Sequence, residues 1–383
     1  MKVLHLDIST EWRGGQQQVL YLTRGLEERG VVSVVATTQG SPLAQRLRRQ
    51  DLPVLELPAT PIFAPKLGRA LQHILADRTW HILHAHTAHA HTLGFLAFRV
   101  PPPRSFHRPS FVVARRVDFV PSRDPLTRLK YTNAGQTIVC VSEAIRRVLL
   151  AYGVAPDSLR VVPSGVQLPG TSQPGDPLPS ELDPQRSQQE RLDLRAELGV
   201  PSDALLLGNI AQMVEHKGQR YLLEAMPIIR RAVPSAHLVI LGNGELEKDL
   251  RRRAAQLSLD GSVTFAGFRP DAARYLPALD LFVLSSVEEG LGTSTLDAQA
   301  AGVPVVVTRA GGSPEAVLDG ETGLLAEPAD AEALASQAIV LLNDQPRRVR
   351  MGIAGRRHVA DAFSADRTVD MTLAIYRELT GRP

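Results

Sequence analysis

Short apolar runs alternate with amphipathic stretches along the 383 residues, regularly enough for elements to be drawn from the pattern alone. Lys2–Asp7 reads as a strand that runs into the loop Ser9-Thr10-Glu11-Trp12-Arg13-Gly14-Gly15. Val19, Leu20, Leu22 and Leu26 then fall at helical spacing over 16–29, and Gly30 stops that helix. A strand at 31–37, a basic helix at 42–50, a short strand at Val54–Leu57, a helix at 67–76 and a strand at 80–86 follow. Further strands are expected at 111–114, 137–141 and 159–163, with Ser142 capping a helix after the second of them. Strands that alternate with helices in this way build a parallel sheet with helices on both faces.

The pattern breaks at 170–189, which is rich in Pro, Ser, Gly and Gln and reads as a linker or insertion. After a helix near 191–198 it restarts with strands at 205–207, 237–241, 263–265, Leu281–Leu284 and 305–307. The halves echo each other: a strand, a polar loop with glycine, then a helix beginning near Gln16 or Gly218. The expected architecture is α/β, two Rossmann-like domains with parallel sheets facing across a cleft. The first spans 1–168 and the second 204–362, with a linker and connecting helix at 169–203. A last helix, 363–383, is expected to pack back on the first domain.

A composition of 44% hydrophobic and 22% charged residues belongs to a soluble globular chain with real cores. No apolar run reaches the length of a membrane helix, and Asp7 and Glu11 interrupt the first run too early for a signal peptide. The single cysteine, Cys140, sits in an apolar run and reads as a buried packing residue of a cytoplasmic protein. The net charge of +3 is uneven: between Arg99 and Lys130, eight basic residues face only Asp118 and Asp124. Such a segment suits an anionic membrane surface or a phosphorylated acceptor. No helix-turn-helix, zinc-finger or RNA-binding pattern accompanies it, so nucleic acid is not an expected partner.

Chemistry concentrates in a few loops. After Leu281–Leu284 come Ser285, Ser286, Val287, Glu288, Glu289, Gly290, Leu291, Gly292 and Thr293, then a small-residue helix that Gly302 and Pro304 stop. A strand, a glycine loop and a helix hold an anion at the helix N-terminus, where free N–H groups and the dipole favour negative charge. Glu289 and Asp297 bracket that helix start, although two solvated acids on an ordinary helix fit equally well. Gly14-Gly15 lies at the carboxyl end of the first strand, where open parallel sheets bind ligands; a tight turn of positive φ is the other reading. Gly242-Asn243-Gly244 follows a strand, but Glu247 replaces the third glycine of a dinucleotide fingerprint, and no P-loop exists. His81, His84, His86, His89 and His91 are crowded, yet no acid lies between Asp77 and Asp118 to support a metal, so none is expected.

In order along the chain, these loops resemble those of retaining GT-B glycosyltransferases of family 4. The stretch from Glu289 to Asp297 resembles the family's E-x7-E signature, with Asp297 in place of the second Glu. The stretch from Asn209 to Gly218 resembles its G-R-L-x-x-x-K-G loop, in which Arg and Lys hold a diphosphate; Lys217 fits and Gln212 replaces the Arg. His84-Ala85-His86 resembles a strand whose last His reaches the donor sugar. Phe268 and Asp271 resemble the loop beside the nucleotide base, and the loop from Gly311 to Glu315 one that accompanies the donor, Ser313 capping a helix with Pro314 first. Arg115-Arg116-Val117-Asp118 and Val162-Pro163-Ser164-Gly165-Val166 resemble the family's first half, Ser164 and Gln167 departing from its P-N-G-V-D, so the similarity runs from about residue 3 to 325.

The resemblance implies transfer of a hexosyl unit from a nucleotide-diphosphate sugar to a saccharide or lipid-linked acceptor of the cell envelope, with retention, no metal and no cofactor. It implies catalytic roles for Glu289, Lys217 and His86. Donor binding would fall to Gly14, Gly15, Gln212, Gly242, Gly244, Phe268, Gly290, Leu291, Gly292, Thr293 and Asp297, with Arg115 and Arg116 on the acceptor side. The basic segment implies peripheral attachment at the inner face of a membrane. A sugar-nucleotide epimerase of the same fold and a non-catalytic nucleotide-sugar-binding module remain open, the latter because Gln212 and Asp297 both depart from the pattern.

Overall fold

The computed structural model describes residues 1–61, 65–76, 79–99, 108–132, 135–168 and 184–382. The expected linker at 169–183, Arg104 and the side chain of Arg99 lie outside the described residues. The chain divides into two compact units, Met1–Gly165 with Ala365–Pro383, and Val166–Ser364.

Among the described residues the first unit carries a seven-stranded sheet: β1 (Lys2–Asp7), β2 (Val32–Thr38), β3 (Val54–Leu57), β4 (Ile82–Ala85), β5 (Ser110–Arg115), β6 (Gln136–Cys140) and β7 (Leu159–Val161). The order is β3-β2-β1-β4-β5-β6-β7, with parallel pairing throughout. The crossovers are α1 (Gly14–Glu28), α2 (Pro42–Arg49), α3 (Pro65–Leu75), α4 (Ala88–Arg99), α5 (Pro125–Thr132) and α6 (Glu143–Tyr152). Ser142 does cap α6, its hydroxyl accepting from the Ile145 N–H. The strand order reverses between β1 and β4. Crevices that take ligands open at such a reversal, outside the carboxyl ends of the strands.

The second unit repeats the plan with β8 (Leu205–Ile210), β9 (Ala236–Leu241), β10 (Val263–Gly267), β11 (Leu281–Leu284), β12 (Val305–Thr308) and β13 (Gly323–Ala326), ordered β10-β9-β8-β11-β12-β13 and all parallel. Its helices are α7 (Pro184–Leu198), α8 (Gln219–Ala232), α9 (Glu247–Gln256), α10 (Thr293–Ala300), α11 (Ser313–Ala316), α12 (Ala331–Leu342) and α13 (Gln345–Ala362). Here the order reverses between β8 and β11, beside the loops that carry Lys217 and Glu289. Helix α7 starts at Pro184, earlier than the polar run through 189 suggested, because proline suits a first helical turn.

The last helix, α14 (Ala365–Thr380), belongs to the first unit, where Val369, Leu373, Ile375 and Tyr376 join Val3, Leu22, Leu26, Ile82 and Val112 in one core. It lies so close to α1 that a Cβ on Gly25 would stand 2.6 Å from a Val369 methyl. Arg29 pairs with Asp366 and Asp370 along the same seam.

Candidate active site

In the second unit, glycines press loops that are distant in sequence against one another. Gly218 has φ 62°, and a Cβ there would stand 2.2 Å from the Ser285 carbonyl oxygen. The contact lets the Val287 N–H donate to the His216 carbonyl at 2.8 Å and the Ser285 hydroxyl to the Lys217 carbonyl at 3.0 Å. Gly242 and Gly244 do the same next door, where Cβ atoms would meet the Ala211 and Met213 carbonyls. Gln212 is thereby fixed in the crevice wall, its carbonyl accepting from the Gln219 amide.

This zippering brings Lys217 and Glu289 together. Lys217 Nζ lies 2.5 Å from Glu289 Oε2, both side chains largely buried. Glu289 is held on every side: Oε2 also accepts from the Ser286 hydroxyl, Oε1 from the Gly290 N–H, and its carbonyl from the Gly312 N–H. A charge-assisted pair built this way fixes both groups at the strand-order reversal. Helix α10 begins beside them at Gly292, whose φ of 82° suits glycine, with no side-chain cap and no acid in the first turn. The N–H groups of Thr293 and Ser294 therefore face outward at the positive end of the helix. Leu291 is buried beneath them, and Phe268 stands exposed after β10.

Asp297, one turn into α10, receives no hydrogen bond from any described side chain or N–H, and burial pushes its carboxyl up to about 7. A free acid of this kind is poised for a ligand that donates hydrogen bonds. The Gly311–Glu315 loop joins the site through Gly312, which is the cap of α11; Ser313 is the first helical residue and its hydroxyl caps nothing, contrary to the cap expected there.

The first unit gathers a different set at its own reversal. Gly14 and Gly15 are the first residues of α1, and neither has positive φ, so the tight-turn reading fails. A Cβ on Gly15 would stand 3.8 Å from Arg116 Cδ, an ordinary van der Waals distance, so Gly15 lies beside Arg116 without the packing there demanding glycine. Asp7 is fully buried, accepting from the Ser9 N–H and the Gln16 amide, and burial raises its pKa against those bonds and the Arg116 charge. His86 is 4% exposed, and both of its ring nitrogens are engaged within the protein, with His5 at 2.9 Å and Arg116 at 3.3 Å. His84 stacks on His86, ring centroids 4.0 Å apart, and bonds Tyr376 of α14 at 2.5 Å. The sequence reading missed His5; its signal was a histidine at an inward position of an otherwise apolar strand.

His5, His84 and His86 lie close enough to suggest a metal site among the described residues. The donor set argues otherwise. Arg116 can only donate, so His86 Nδ1 must accept, and the ring proton sits on Nε2, the nitrogen that faces His5. A metal on that nitrogen would turn a protonated Nδ1 toward the guanidinium.

Arg115 requires a correction. It was grouped with Arg116 on the acceptor side, but it is 5% exposed and is a strut: Nη1 donates to the Tyr131 hydroxyl at 2.9 Å and Nη2 to the Phe119 carbonyl. Arg115 is the last residue of β5 and turns to Tyr131, whereas Arg116, the first residue past the strand, turns to His86.

Two parallel α/β units of this kind define the GT-B class. The Anabaena protein Alr3699/HepE, solved in complex with UDP and glucose, superposes with a TM-score of 0.81 at 20% identity, over 98% of this chain and 99% of that one. The family model described as Glycosyl transferases group 1 matches residues 190–358, and that described as Glycosyltransferase Family 4 matches residues 12–168. The chain belongs to the group 1 glycosyltransferases. It is 35% identical over 181 residues to the lipopolysaccharide core biosynthesis glycosyltransferase LpsE of Rhizobium meliloti, covering 47% of this chain and 52% of that protein. It is 37% identical over 200 residues to a GDP-mannose-dependent monoacylated alpha-(1-6)-phosphatidylinositol monomannoside mannosyltransferase of Corynebacterium glutamicum, covering 49% and 52%. The chain spans about half the length of the curated relatives it matches.

The Asp297 carboxyl gives a stability test. Its stabilising contribution is complete below the unfolded value of about 4 and is lost as pH rises through the folded value of about 7. Asp297→Asn does not titrate. The stability gained by the variant over wild type should therefore widen from about pH 4 to about pH 7 and then stay flat, as read from denaturant unfolding. A gap that does not change with pH would contradict the assignment.

Proposed function

We propose that the protein transfers a sugar, a hexosyl unit, from a nucleoside-diphosphate sugar to an acceptor with retention of anomeric configuration. The observation that carries this reading is the Lys217–Glu289 pair beside the uncapped start of α10, with Asp297 unpartnered behind it. A diphosphate competes with Glu289 for Lys217 and takes the free N–H groups of Thr293 and Ser294. Charge that develops on the leaving phosphate is then met without reorganisation and without a metal. Asp297 accepts from the ribose diol, and Glu289, once relieved of Lys217, turns its oxygens to the hydroxyls of the donor sugar. The bond from C1 to the leaving phosphate breaks as the acceptor oxygen bonds C1 from the same face, and the acceptor proton passes to the leaving phosphate. Gln212 supplies a neutral donor where a second cation would hold the phosphate more tightly.

The names of similar proteins support this donor class: the Corynebacterium protein is GDP-mannose-dependent, and the HepE structure holds UDP and glucose. Lys217→Ala and Glu289→Ala should each lower transfer by roughly 100-fold or more. Nucleoside-diphosphate affinity, read by calorimetry, should weaken in Lys217→Ala. The anomer of the product is read by NMR. Two variants that transfer like wild type would sink the proposal, a donor rearranged without an acceptor would favour an epimerase, and a wild type that takes no nucleoside diphosphate would favour a non-catalytic module.

An acceptor drawn from a membrane is supported by one feature of the first unit. Phe119, Val120, Leu126 and Leu129 are exposed apolar side chains within one short stretch that also carries Arg123 and Arg128 on the surface. Arg115 pins this loop from beneath. Apolar side chains among cations suit the interface of an anionic bilayer and a lipid-linked envelope saccharide. Among the described residues no helix is long and apolar enough to cross a membrane; the attachment we propose is peripheral, at the inner face, through these exposed apolar and basic side chains. The protein should sediment with vesicles containing phosphatidylglycerol, and Phe119→Ser with Leu126→Ser should reduce that fraction. Equal recovery with neutral and anionic vesicles would count against it.

A further inference from the structure

Burying three imidazoles and a guanidinium at the carboxyl end of one sheet's central strands is costly, and the neighbours make the cost plain. His5 is flanked by Leu4 and Leu6, and its register partner His84 by Leu83 and Ala85, all buried. Leucine or valine would suit either position better if packing were the only demand. The donors and acceptors explain the choice. Arg116 Nη2 donates to His86 Nδ1; His86 Nε2–H donates to His5 Nδ1 at 2.9 Å; His5 Nε2–H donates to the Ser33 hydroxyl at 2.8 Å on β2. Guanidinium offers no acceptor, so Arg116 matches only a bare His86 Nδ1, and the Nε2–H that this leaves in the interior is satisfied only by His5 Nδ1, whose own Nε2–H is met by Ser33.

The groups around the chain keep it in that state. Burial holds His5 down to about 3 and His86 well below its ordinary value, with His84, His5 and Arg116 adding to the depression at His86. A second proton on His86 would face Arg116 donor to donor. Tyr376 approaches from α14 and takes only His84. Arg116 itself stays cationic, with a pKa lowered by burial to about 10, and among the described residues no carboxylate lies within ion-pair distance of it. Asp7 contributes its field only, its oxygens committed to Ser9 and Gln16. The remaining contact of Arg116, to the Ser164 hydroxyl, is long at 3.4 Å.

We infer that His5 and Ser33 are positioning residues that lock His86 as its Nε2–H tautomer, so that its bare Nδ1 anchors one edge of Arg116 and leaves the guanidinium free to meet an oxyanion of the acceptor. The inference rests on the proposed transferase reading, with Arg116 on the acceptor side in the first unit, but the proton order it asserts can be read without any transfer assay. Asparagine separates this role from packing. Its Oδ1 occupies the place of His5 Nδ1 and accepts from His86, whereas leucine fills the space and accepts nothing.

The test is long-range 1H–15N spectroscopy of the full chain labelled at histidine and arginine. In wild type, His86 and His5 should both show protonated Nε2 and bare Nδ1, unchanged from about pH 5 to about pH 8. His5→Asn should keep the His86 pattern, and His5→Leu should give mixed or inverted tautomers with a folded spectrum elsewhere. Inorganic phosphate, followed at the Arg116 Nε–H resonance, should be taken by wild type and His5→Asn alike and by His5→Leu roughly 10-fold more weakly. Ser33→Ala should fall between them. A wild-type His86 protonated at Nδ1, an Arg116 resonance unmoved by phosphate, or a His5→Leu variant indistinguishable from wild type would each overturn the inference. Loss of transfer with these spectra intact would instead count against the acceptor assignment of the first unit.

Discussion

Gly218 has no room for a side chain. The Ser285 carbonyl lies 2.2 Å from where its Cβ would be, and the left-handed backbone at Gly218 is what turns the chain into α8 at that point. Much of the second unit's chemistry depends on this approach. It lets two loops, one after β8 and one after β11, share backbone hydrogen bonds. That sharing sets a lysine and a glutamate, 72 residues apart, at 2.5 Å. Any larger residue would separate the loops and the pair with them. The geometry of the fold adds the rest: the strand order reverses between those same two strands, so the crevice opens where the loops meet.

The two units meet the same demand with different economies of charge. In the second, the cation Lys217 is matched by Glu289, the helix start is left bare, and the odd group out is an acid, Asp297, held near neutrality by burial. In the first, the acid Asp7 is satisfied by amides and the odd group out is a cation, Arg116, propped by a neutral histidine. Each unit thus holds one uncompensated group at its reversal. Buried groups left in that state are expensive for the fold and useful for a ligand.

Much of this was legible in the sequence, for physical reasons that can be named. Strands buried on both faces read as apolar runs, so β1, β8, β9 and β11 stood out, and the alternation with helices fixed the fold class. The short β13, Gly323–Ala326, did not, because only two leucines between a glycine and an alanine, just after a turn, look like any loop end. Glu289, Lys217 and the glycines could be named from their spacing, but their pairing could not, since it is made by loops meeting in space. Neighbours misled at a strand end: Arg115 and Arg116 look alike in sequence, and only the fold sends the last residue of β5 inward to Tyr131 and the next to His86. His5 was hidden by its apolar flanks, and the ionisation of Asp297 depends on burial that no single-residue pattern records.

The central claim is that the Lys217–Glu289 pair is a holding arrangement that a donor diphosphate takes over. The most direct measurement is a crystal structure of the protein soaked with a nucleoside diphosphate, read at Lys217 Nζ. The account predicts that Nζ leaves Glu289 for a phosphate oxygen, with the phosphate at the N–H groups of Thr293 and Ser294. A nucleotide bound elsewhere, with the 2.5 Å pair intact, would contradict it.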